Sequence, residues 1–205
     1  MQEFSIEDKA LKTSELSKLR KEMSKVQDSK RFEHTLSVAY TASNLAACYG
    51  ESVDCALIAG MLHDCAKCLP EKKLLSICEK QHMEISEEEY KKPSLLHAKA
   101  GSYLAEKEYN VKNKDILNAI CNHTTGRPGM SLLEKIIFVA DYMEPGRRQA
   151  PRLDQIRKTA YTDLDKAVLM ILEDTLNYLQ ASGSVIEKTT QETYQYYVTS
   201  QKTIL

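Results

Sequence analysis

The segment Gly60–Lys67 reads GMLHDCAK and places a histidine directly beside an aspartate, His63 and Asp64, inside an apolar run. Burying an ionised carboxylate without a partner costs several kcal/mol, whereas a whole domain is stable by only about 5–15 kcal/mol. The sequence therefore predicts that the Asp64 carboxylate has a compensating partner elsewhere in the chain. The run itself, from Val53 to Cys68 and closed by Pro70, is typical of a buried helix.

Size and charge limit the class of protein. A chain of 205 residues is long enough for one compact domain, and its net charge of −1 provides no basic field for gripping a nucleic-acid backbone. No apolar run reaches the length of a membrane span, and the N-terminus lacks the apolar core of a signal peptide. We therefore expect a cytoplasmic protein without a membrane or nucleic-acid partner. The cysteines are expected to be reduced packing residues, and they are Cys48, Cys55, Cys65, Cys68, Cys78 and Cys121.

Helical signals recur along the chain, and no clear strand pattern accompanies them. The sequence contains only seven glycines and five prolines, and its apolar residues recur at helical spacing. Helices are predicted over residues 30–49, 94–108 and 131–143, among others. Gly50 and Gly183 are expected to end two of the helices. The sequence predicts an all-α fold, with a single helical bundle over residues 26–205 and an N-terminal helical extension over residues 1–25.

Histidines and aspartates recur beside the apolar faces of different predicted helices. Four histidines each fall in or at the end of a separate apolar segment, and Asp141 follows the uncharged run IIFVA. These histidines are His34, His63, His97 and His123, while His82 lies in a polar stretch. Neighbouring helix residues point about 100° apart, so His63 and Asp64 could approach one ion from the same helix. Buried acids and imidazoles are expected to share a divalent cation, and such a mixed set suits iron, manganese or zinc with open positions left.

The ordered set of His34, the His63–Asp64 pair and Asp141 resembles the HD-domain family of metal-dependent phosphohydrolases, which are helical proteins. Four stretches narrow this resemblance to the YqeK-type branch over about residues 28–200: RFEHTLSVAYTASNLAACYG, LIAGMLHDCAK, LLHAKAGSYLA and AICNHTTGRPGMSLLEKIIFVADYMEPGR. The resemblance implies an iron-binding enzyme that hydrolyses diadenosine tetraphosphate symmetrically to two ADP with a metal-activated water. Manganese or another divalent metal is the alternative cofactor.

The resemblance also assigns roles to individual residues. Its metal-ligand positions fall on His34, His63, Asp64 and Asp141. Its catalytic positions fall on Lys67, His97 and His123. The two histidines either contact phosphate and move a proton or hold a second metal, and these roles need opposite protonation states. Nucleotide contacts are expected from Arg31, His34, Asp64, Lys67, His97, His123, Thr125, Gly126 and Arg147, although helix capping explains Thr125 and Gly126 equally well.

Two other functions use the same residues. A different HD-domain enzyme, acting on nucleoside monophosphates or triphosphates, would hold its metal with the same ligands, and nothing in the spacing selects the dinucleotide. A non-catalytic nucleotide-binding regulatory module would keep the metal for stability. We expect a small-molecule dinucleotide polyphosphate as the partner, and the sequence leaves a homodimer open.

Overall fold

The structure is a computed structural model that describes residues 13–202. Within this range the regular structure is helical, with no β-strand, and the predicted all-α class is confirmed. In chain order the elements are α1 (Thr13–Val26), α2 (Ser29–Tyr49), α3 (Val53–Leu62), α4 (Glu71–Lys80), α5 (Glu87–Lys91), a 3-10 helix (Pro93–Leu96), α6 (His97–Lys107), α7 (Lys114–Asn122), α8 (Leu132–Met143), α9 (Leu153–Thr159), α10 (Leu164–Ala181) and α11 (Lys188–Lys202).

Several helix ends follow the signals that the sequence carries. α2 begins after Asp28, whose side chain accepts a hydrogen bond from the Arg31 N–H. It ends at Gly50, which has a φ of 73° and donates its N–H to the Ala46 carbonyl. Glycine is favoured at such a position because it lacks the Cβ that penalises left-handed backbone. α8 begins with a capping box formed by Ser131 and Glu134, so the predicted bounds of both helices are correct to within one residue.

α3 is shorter than predicted. It ends at Leu62, and the chain continues through tight turns up to Leu69. The N–H groups of Cys65, Lys67 and Leu69 each donate to the carbonyl three residues earlier, a spacing tighter than that of an α-helix. His63 and Asp64 therefore lie where the helix ends, and this frees them from the angular spacing of a regular helix.

The core lies around α2, α3 and α8. α2 and α3 form the most extensive helix pair, and they approach closely because Gly60 of α3 faces the backbone of Ala39 in α2. A Cβ built on Gly60 would lie 2.6 Å from the Ala39 Cα. This close contact brings the C-terminal end of α3 beside the first half of α2, where His34 lies.

The N-terminal helix packs against the rest of the bundle. α1 contacts α2 and α3, and its Leu19 and Met23 are 2% and 0% exposed within the main core. The predicted division into an extension over residues 1–25 and a domain over residues 26–205 stays a prediction, and residues 1–12 lie outside the described range. Between residues 13 and 202, none of the helices has the length and apolarity needed to traverse a bilayer.

A buried carboxylate, Glu134, ties α7, the following loop and α8 together. It accepts hydrogen bonds from the Arg127 guanidinium at 2.6 and 2.7 Å, from Asn122 Nδ2 at 2.8 Å and from the Ser131 N–H at 2.7 Å. Burial raises the pKa of Glu134, but the hydrogen bonds from Arg127 and Ser131 outweigh it and hold the pKa below its ordinary value. The loop that follows His123 is therefore anchored from the start of α8.

Glu134→Gln is expected to lower the free energy of unfolding at neutral pH by about 1–3 kcal/mol, because buried donors lose part of their acceptor. The folded pKa of Glu134 is lower than its unfolded value, near 4.5. Its contribution is therefore present above that unfolded pKa and is lost as the pH falls through the folded pKa. Urea unfolding near neutral pH and at a pH well below the unfolded pKa measures both effects. A variant that loses as much stability on acidification as the unaltered protein would contradict this assignment.

Candidate metal centre

Four histidines and two aspartates from different helices meet at one place in the bundle. His34 lies on α2, His63 and Asp64 lie at and after the end of α3, His97 begins α6, His123 follows α7 and Asp141 lies on α8. Most of them are removed from solvent, since His63, Asp64, His97 and His123 are between 0% and 3% exposed. The predicted convergence of these residues is therefore present in the structure, whereas His82 is exposed on the surface.

One side of the centre is formed by His34, His63, Asp141 and one oxygen of Asp64. His34 Nε2 lies 3.4 Å from His63 Nε2 and 3.0 Å from Asp141 Oδ1. Asp64 Oδ2 lies 3.5 Å from His63 Nε2 and 3.9 Å from His34 Nε2. Two imidazole nitrogens and two carboxylates therefore face one small volume, and this is the ligand set that the family resemblance predicts.

The other oxygen of Asp64 faces a second group. Asp64 Oδ1 lies 3.3 Å from His97 Nε2 and 3.6 Å from His123 Nε2. These two imidazole nitrogens are 3.2 Å apart, and Lys67 Nζ lies 3.2 Å from His97 Nε2. Thr124 Oγ1 lies within 3.3 Å of both imidazole nitrogens. The Asp64 carboxylate thus stands between the two groups of histidines.

Three of the histidines are held by the same local hydrogen bond. The Nδ1 atoms of His63, His97 and His123 lie 2.7–2.8 Å from the carbonyl oxygens of Gly60, Ser94 and Ile120, in each case three residues earlier. Gly60 and Ile120 belong to the last turns of α3 and α7, and Ser94 belongs to the 3-10 helix that leads into α6. Because a carbonyl can only accept, each Nδ1 carries a hydrogen, and in the neutral ring each Nε2 directs its lone pair into the centre.

These residues fit a bound metal ion. Facing lone pairs on His34 and His63, and on His97 and His123, cannot hydrogen-bond to one another. Asp64 Oδ1 is buried and has no hydrogen-bond partner, and such a group is expected to have one. The ligand atoms of His34, His63 and Asp141 lie within 4.8 Å of one another, as do those of His63, Asp64 and His123. A divalent cation satisfies the lone pairs and the free carboxylate oxygen together.

Burial and neighbouring charges shift the pKa values of the acids and histidines at the centre. Burial raises the pKa of Asp64, but its histidine neighbours outweigh this and hold the pKa well below its ordinary value. Burial likewise raises the pKa of Asp141, and the neighbouring His34 and the charge of His63 bring it below its usual range. Burial lowers the pKa of His63, but the charge of Asp64 outweighs burial and holds this pKa above its ordinary value. At His97 burial is the larger effect, and the pKa of His97 lies below its ordinary value. These shifts favour the ionised form of both carboxylates, which is the form that binds a cation.

The residues predicted to contact phosphate have different partners around this centre. Arg31 pairs with Asp64 Oδ2 at 2.7 Å, and Arg147 donates to the Asp141 carbonyl at 3.1 Å. Lys67 is exposed along its side chain, and partial removal from water lowers its pKa while the Asp64 charge raises it. Gly126 donates its N–H to the Asn122 carbonyl. This bond favours helix capping there, and a phosphate contact of Thr125 and Gly126 stays a prediction.

A cavity of about 480 Å³ opens beside His34. Lys30, Arg31 and Arg147 contribute cationic side chains to its lining, and Glu33 and Glu144 contribute carboxylates. A cavity of this size, next to the candidate ligands and with three cationic side chains, has room for part of an anionic small molecule. The site therefore has a buried side, formed by the histidines, and an open side.

Two residues of the site were not predicted from the sequence. Glu144 is 4% exposed and lies against His34, although its position before Pro145 and Gly146 suggests an exposed turn. Only the fold reveals its burial. Thr124 directly follows His123 and could have been found from that position alone. Cys65 and Cys78 are buried in the core as predicted, whereas Cys48 and Cys68 are exposed and the prediction of packing residues is wrong for them.

The fold and the site define a protein of the HD-domain class, and the family model described as HD domain matches residues 31–146. The chain is 40% identical over 168 residues to the symmetrical bis(5'-nucleosyl)-tetraphosphatase of Bacillus subtilis (strain 168), covering 82% of this chain and 89% of that protein. A protein of the same name from Halalkalibacterium halodurans is 38% identical over 174 residues, covering 84% and 91%. The chain belongs to the HD-domain family and, within it, to the branch of the symmetrical bis(5'-nucleosyl)-tetraphosphatases.

A solved structure agrees with the HD-domain assignment. The crystal structure of a protein from Clostridium acetobutylicum, described as a predicted HD superfamily hydrolase involved in NAD metabolism, matches with a TM-score of 0.87 and 42% sequence identity. The match covers 90% of this chain and 97% of that one. HD domains are metal-dependent, which agrees with the ligand geometry described above.

Proposed function

We propose that this protein hydrolyses diadenosine tetraphosphate symmetrically to two ADP. The observation that carries the proposal is the Asp64 carboxylate, which stands between two pairs of imidazole nitrogens with one oxygen left without a partner. The names of the relatives supply the substrate. The cationic cavity beside His34 supports an anionic substrate, because a polyphosphate needs such partners at neutral pH.

His34, His63, Asp64 and Asp141 are proposed to hold the metal, with iron as the expected ion. When bound, a divalent metal supplies a Lewis acid and a water of lowered pKa for attack on phosphorus. The protein's contribution is to fix the ligands, since His63 and Asp64 are almost completely buried and His63 is oriented by the Gly60 carbonyl. Arg31, now paired with Asp64, is proposed to turn toward substrate phosphate when the metal takes over that oxygen.

Lys67, His97 and His123 are proposed to contact the phosphates and to transfer a proton to the leaving group. The Lys67 ammonium lies 3.2 Å from His97 Nε2, and a cation in that position supports a phosphate contact over a permanent second metal. The alternative of a second metal is supported by the grouping of His63, Asp64 and His123. The metal content of a variant distinguishes the two roles.

His97→Ala is expected to lower turnover by about 10²–10⁴-fold, the range for loss of a general acid or base, while the metal content per chain stays unchanged. Elemental analysis of freshly purified protein measures the metal content per chain, and steady-state kinetics measure turnover. Tyr103→Phe in the same helix provides a control with an intact centre. Loss of one metal ion per chain in His97→Ala would replace the proposed role with a second metal site.

The proposed function is tested by identifying products. The purified protein is loaded with iron under anaerobic conditions and incubated with diadenosine tetraphosphate, nucleoside monophosphates, deoxynucleoside triphosphates and NAD. ADP as the single nucleotide product from diadenosine tetraphosphate is the expected result. AMP together with ATP, or faster release of inorganic phosphate from another nucleotide, would indicate a different HD-domain activity. Tight nucleotide binding without turnover in metal-loaded protein would indicate a regulatory module.

A further inference from the structure

Glu144 is a buried acid whose side chain reaches one of the candidate ligands. It follows the last residue of α8 and is 4% exposed, although glutamate is almost never fully buried without a partner. Its Oε1 lies 3.3 Å from His34 Nδ1, and its Oε2 accepts the Gly146 N–H. A carboxylate accepts from Nδ1–H, so His34 is left with an Nε2 lone pair directed toward Asp141 and His63.

The loop that carries Glu144 is fixed by α9. The Arg157 guanidinium donates hydrogen bonds of 2.9–3.1 Å to the carbonyls of Met143, Glu144 and Arg147. A Cβ on Gly146 would lie 2.8 and 3.1 Å from the two carboxylate oxygens of Glu144. A side chain at position 146 would therefore displace the Glu144 carboxylate, and the Arg157 bonds fix the backbone that carries it.

His34 differs from the other three histidines in the charge of its Nδ1 partner. His63, His97 and His123 each face a neutral carbonyl, whereas His34 faces a carboxylate. A charged acceptor makes the stronger hydrogen bond and increases the electron density at the opposite ring nitrogen. Among the four rings, His34 is thus the one whose Nδ1 partner is an acid, at 3.3 Å against 2.7–2.8 Å for the three carbonyl bonds.

We propose that Glu144 is a positioning residue that sets metal affinity by orienting His34 and increasing the basicity of its Nε2. The proposal rests on the part of the proposed function that makes His34 a metal ligand, and it is independent of the substrate. Glu144 also lines the cavity beside His34, so its effect is measured on metal binding in the absence of nucleotide. In that measurement its effect passes through His34, and this gives the proposal a test that a general loss of stability would not satisfy.

The experiment titrates metal-free protein with Mn²⁺ and measures the dissociation constant by calorimetry. Glu144→Gln retains an acceptor for His34 Nδ1 without the charge, and we expect about tenfold weaker binding, whereas Glu144→Ala removes both and is expected to weaken binding about 100-fold. Glu89→Gln is the matched control, because Glu89 is also 4% exposed and its ion pair with Lys99 links α5 to α6. Its dissociation constant is expected to stay within about twofold of the unaltered protein, since no metal ligand is affected.

The decisive comparison repeats Glu144→Ala in a His34→Ala background. If Glu144 acts through His34, the second substitution has no further effect on the Mn²⁺ dissociation constant. Gly146→Ala is a second route to the same result, because its Cβ displaces the carboxylate without removing it, and weaker Mn²⁺ binding is expected. An undiminished effect in the His34→Ala background, or unchanged affinity in both Glu144 variants, overturns the proposal. Tight Mn²⁺ binding without ADP formation would instead overturn the proposed function and leave this inference standing.

Discussion

Asp64→Ala is expected to abolish detectable hydrolysis of diadenosine tetraphosphate, with a loss on the order of 10³-fold or more. The metal contributes several kcal/mol of transition-state stabilisation, and each 1.36 kcal/mol, roughly, is a factor of ten in rate. Asp64 is the residue that faces both groups of histidines, through Oδ2 on one side and Oδ1 on the other. Its removal therefore disrupts both sides at once, and bound metal should fall below one ion per chain by elemental analysis.

Two further variants, Asp64→Asn and Asp174→Asn, distinguish the effect of losing a metal ligand from the effect of unfolding. The asparagine at position 64 keeps the shape of the side chain but replaces one charged oxygen with a donor, so we expect a folded protein that binds metal poorly. Asp174 is 6% exposed and pairs with Arg152, away from the centre. Its variant should retain activity per folded molecule. Turnover by a metal-free, folded Asp64→Ala protein would contradict the metal-dependent mechanism.

Gly60→Ala is expected to lower the free energy of unfolding by about 3 kcal/mol and to weaken metal binding. Alanine in a helix interior is ordinarily favoured over glycine by about 1 kcal/mol. The expected change in stability at Gly60 therefore has the opposite sign to the usual one. The reason is the Cβ that would lie 2.6 Å from the Ala39 Cα and 3.1 Å from its nitrogen. Backbone atoms cannot rotate away, and α2 and α3 must separate. That movement shifts His34 relative to His63.

Gly101→Ala is the matched control for this prediction. Gly101 is also a buried helical glycine, in α6, but its nearest neighbours would lie 3.6 Å from an added Cβ, which is ordinary van der Waals contact. We expect this variant to be as stable as the unaltered protein, or more stable by up to about 1 kcal/mol. Urea unfolding midpoints and Mn²⁺ titration compare the two variants. Equal stabilities would mean that the close approach of α2 and α3 has no energetic consequence.

Much of the fold and of the site could be predicted, because the signals are local or ordered along the chain. Apolar spacing and caps placed α2 and α8, and the order of His34, His63–Asp64 and Asp141 indicated which residues would meet. The end of α3 at Leu62 was not predictable in the same way, since no glycine or proline lies between Leu62 and Leu69. At this end of α3, the His63 side chain donates a hydrogen bond to the Gly60 carbonyl.

The burial of Glu144 could not be predicted because its causes lie far away in the chain. The side chain meets His34, 110 residues earlier, and its loop is held by Arg157, 13 residues later. Neither contact leaves a periodic pattern near Glu144. Local sequence rules describe elements and their ends, whereas the environment of a single acid depends on which elements become neighbours.

The ends of α3 and α7 add to the negative field at the centre. Both helices finish at a histidine of the centre, His63 and His123, so the negative ends of their dipoles point toward the two ionised aspartates. A polyphosphate approaching this field without a cation meets repulsion from the carboxylates and the helix ends alike. On the proposed function, nucleotide is therefore expected to bind more tightly to the metal-loaded protein than to the metal-free protein.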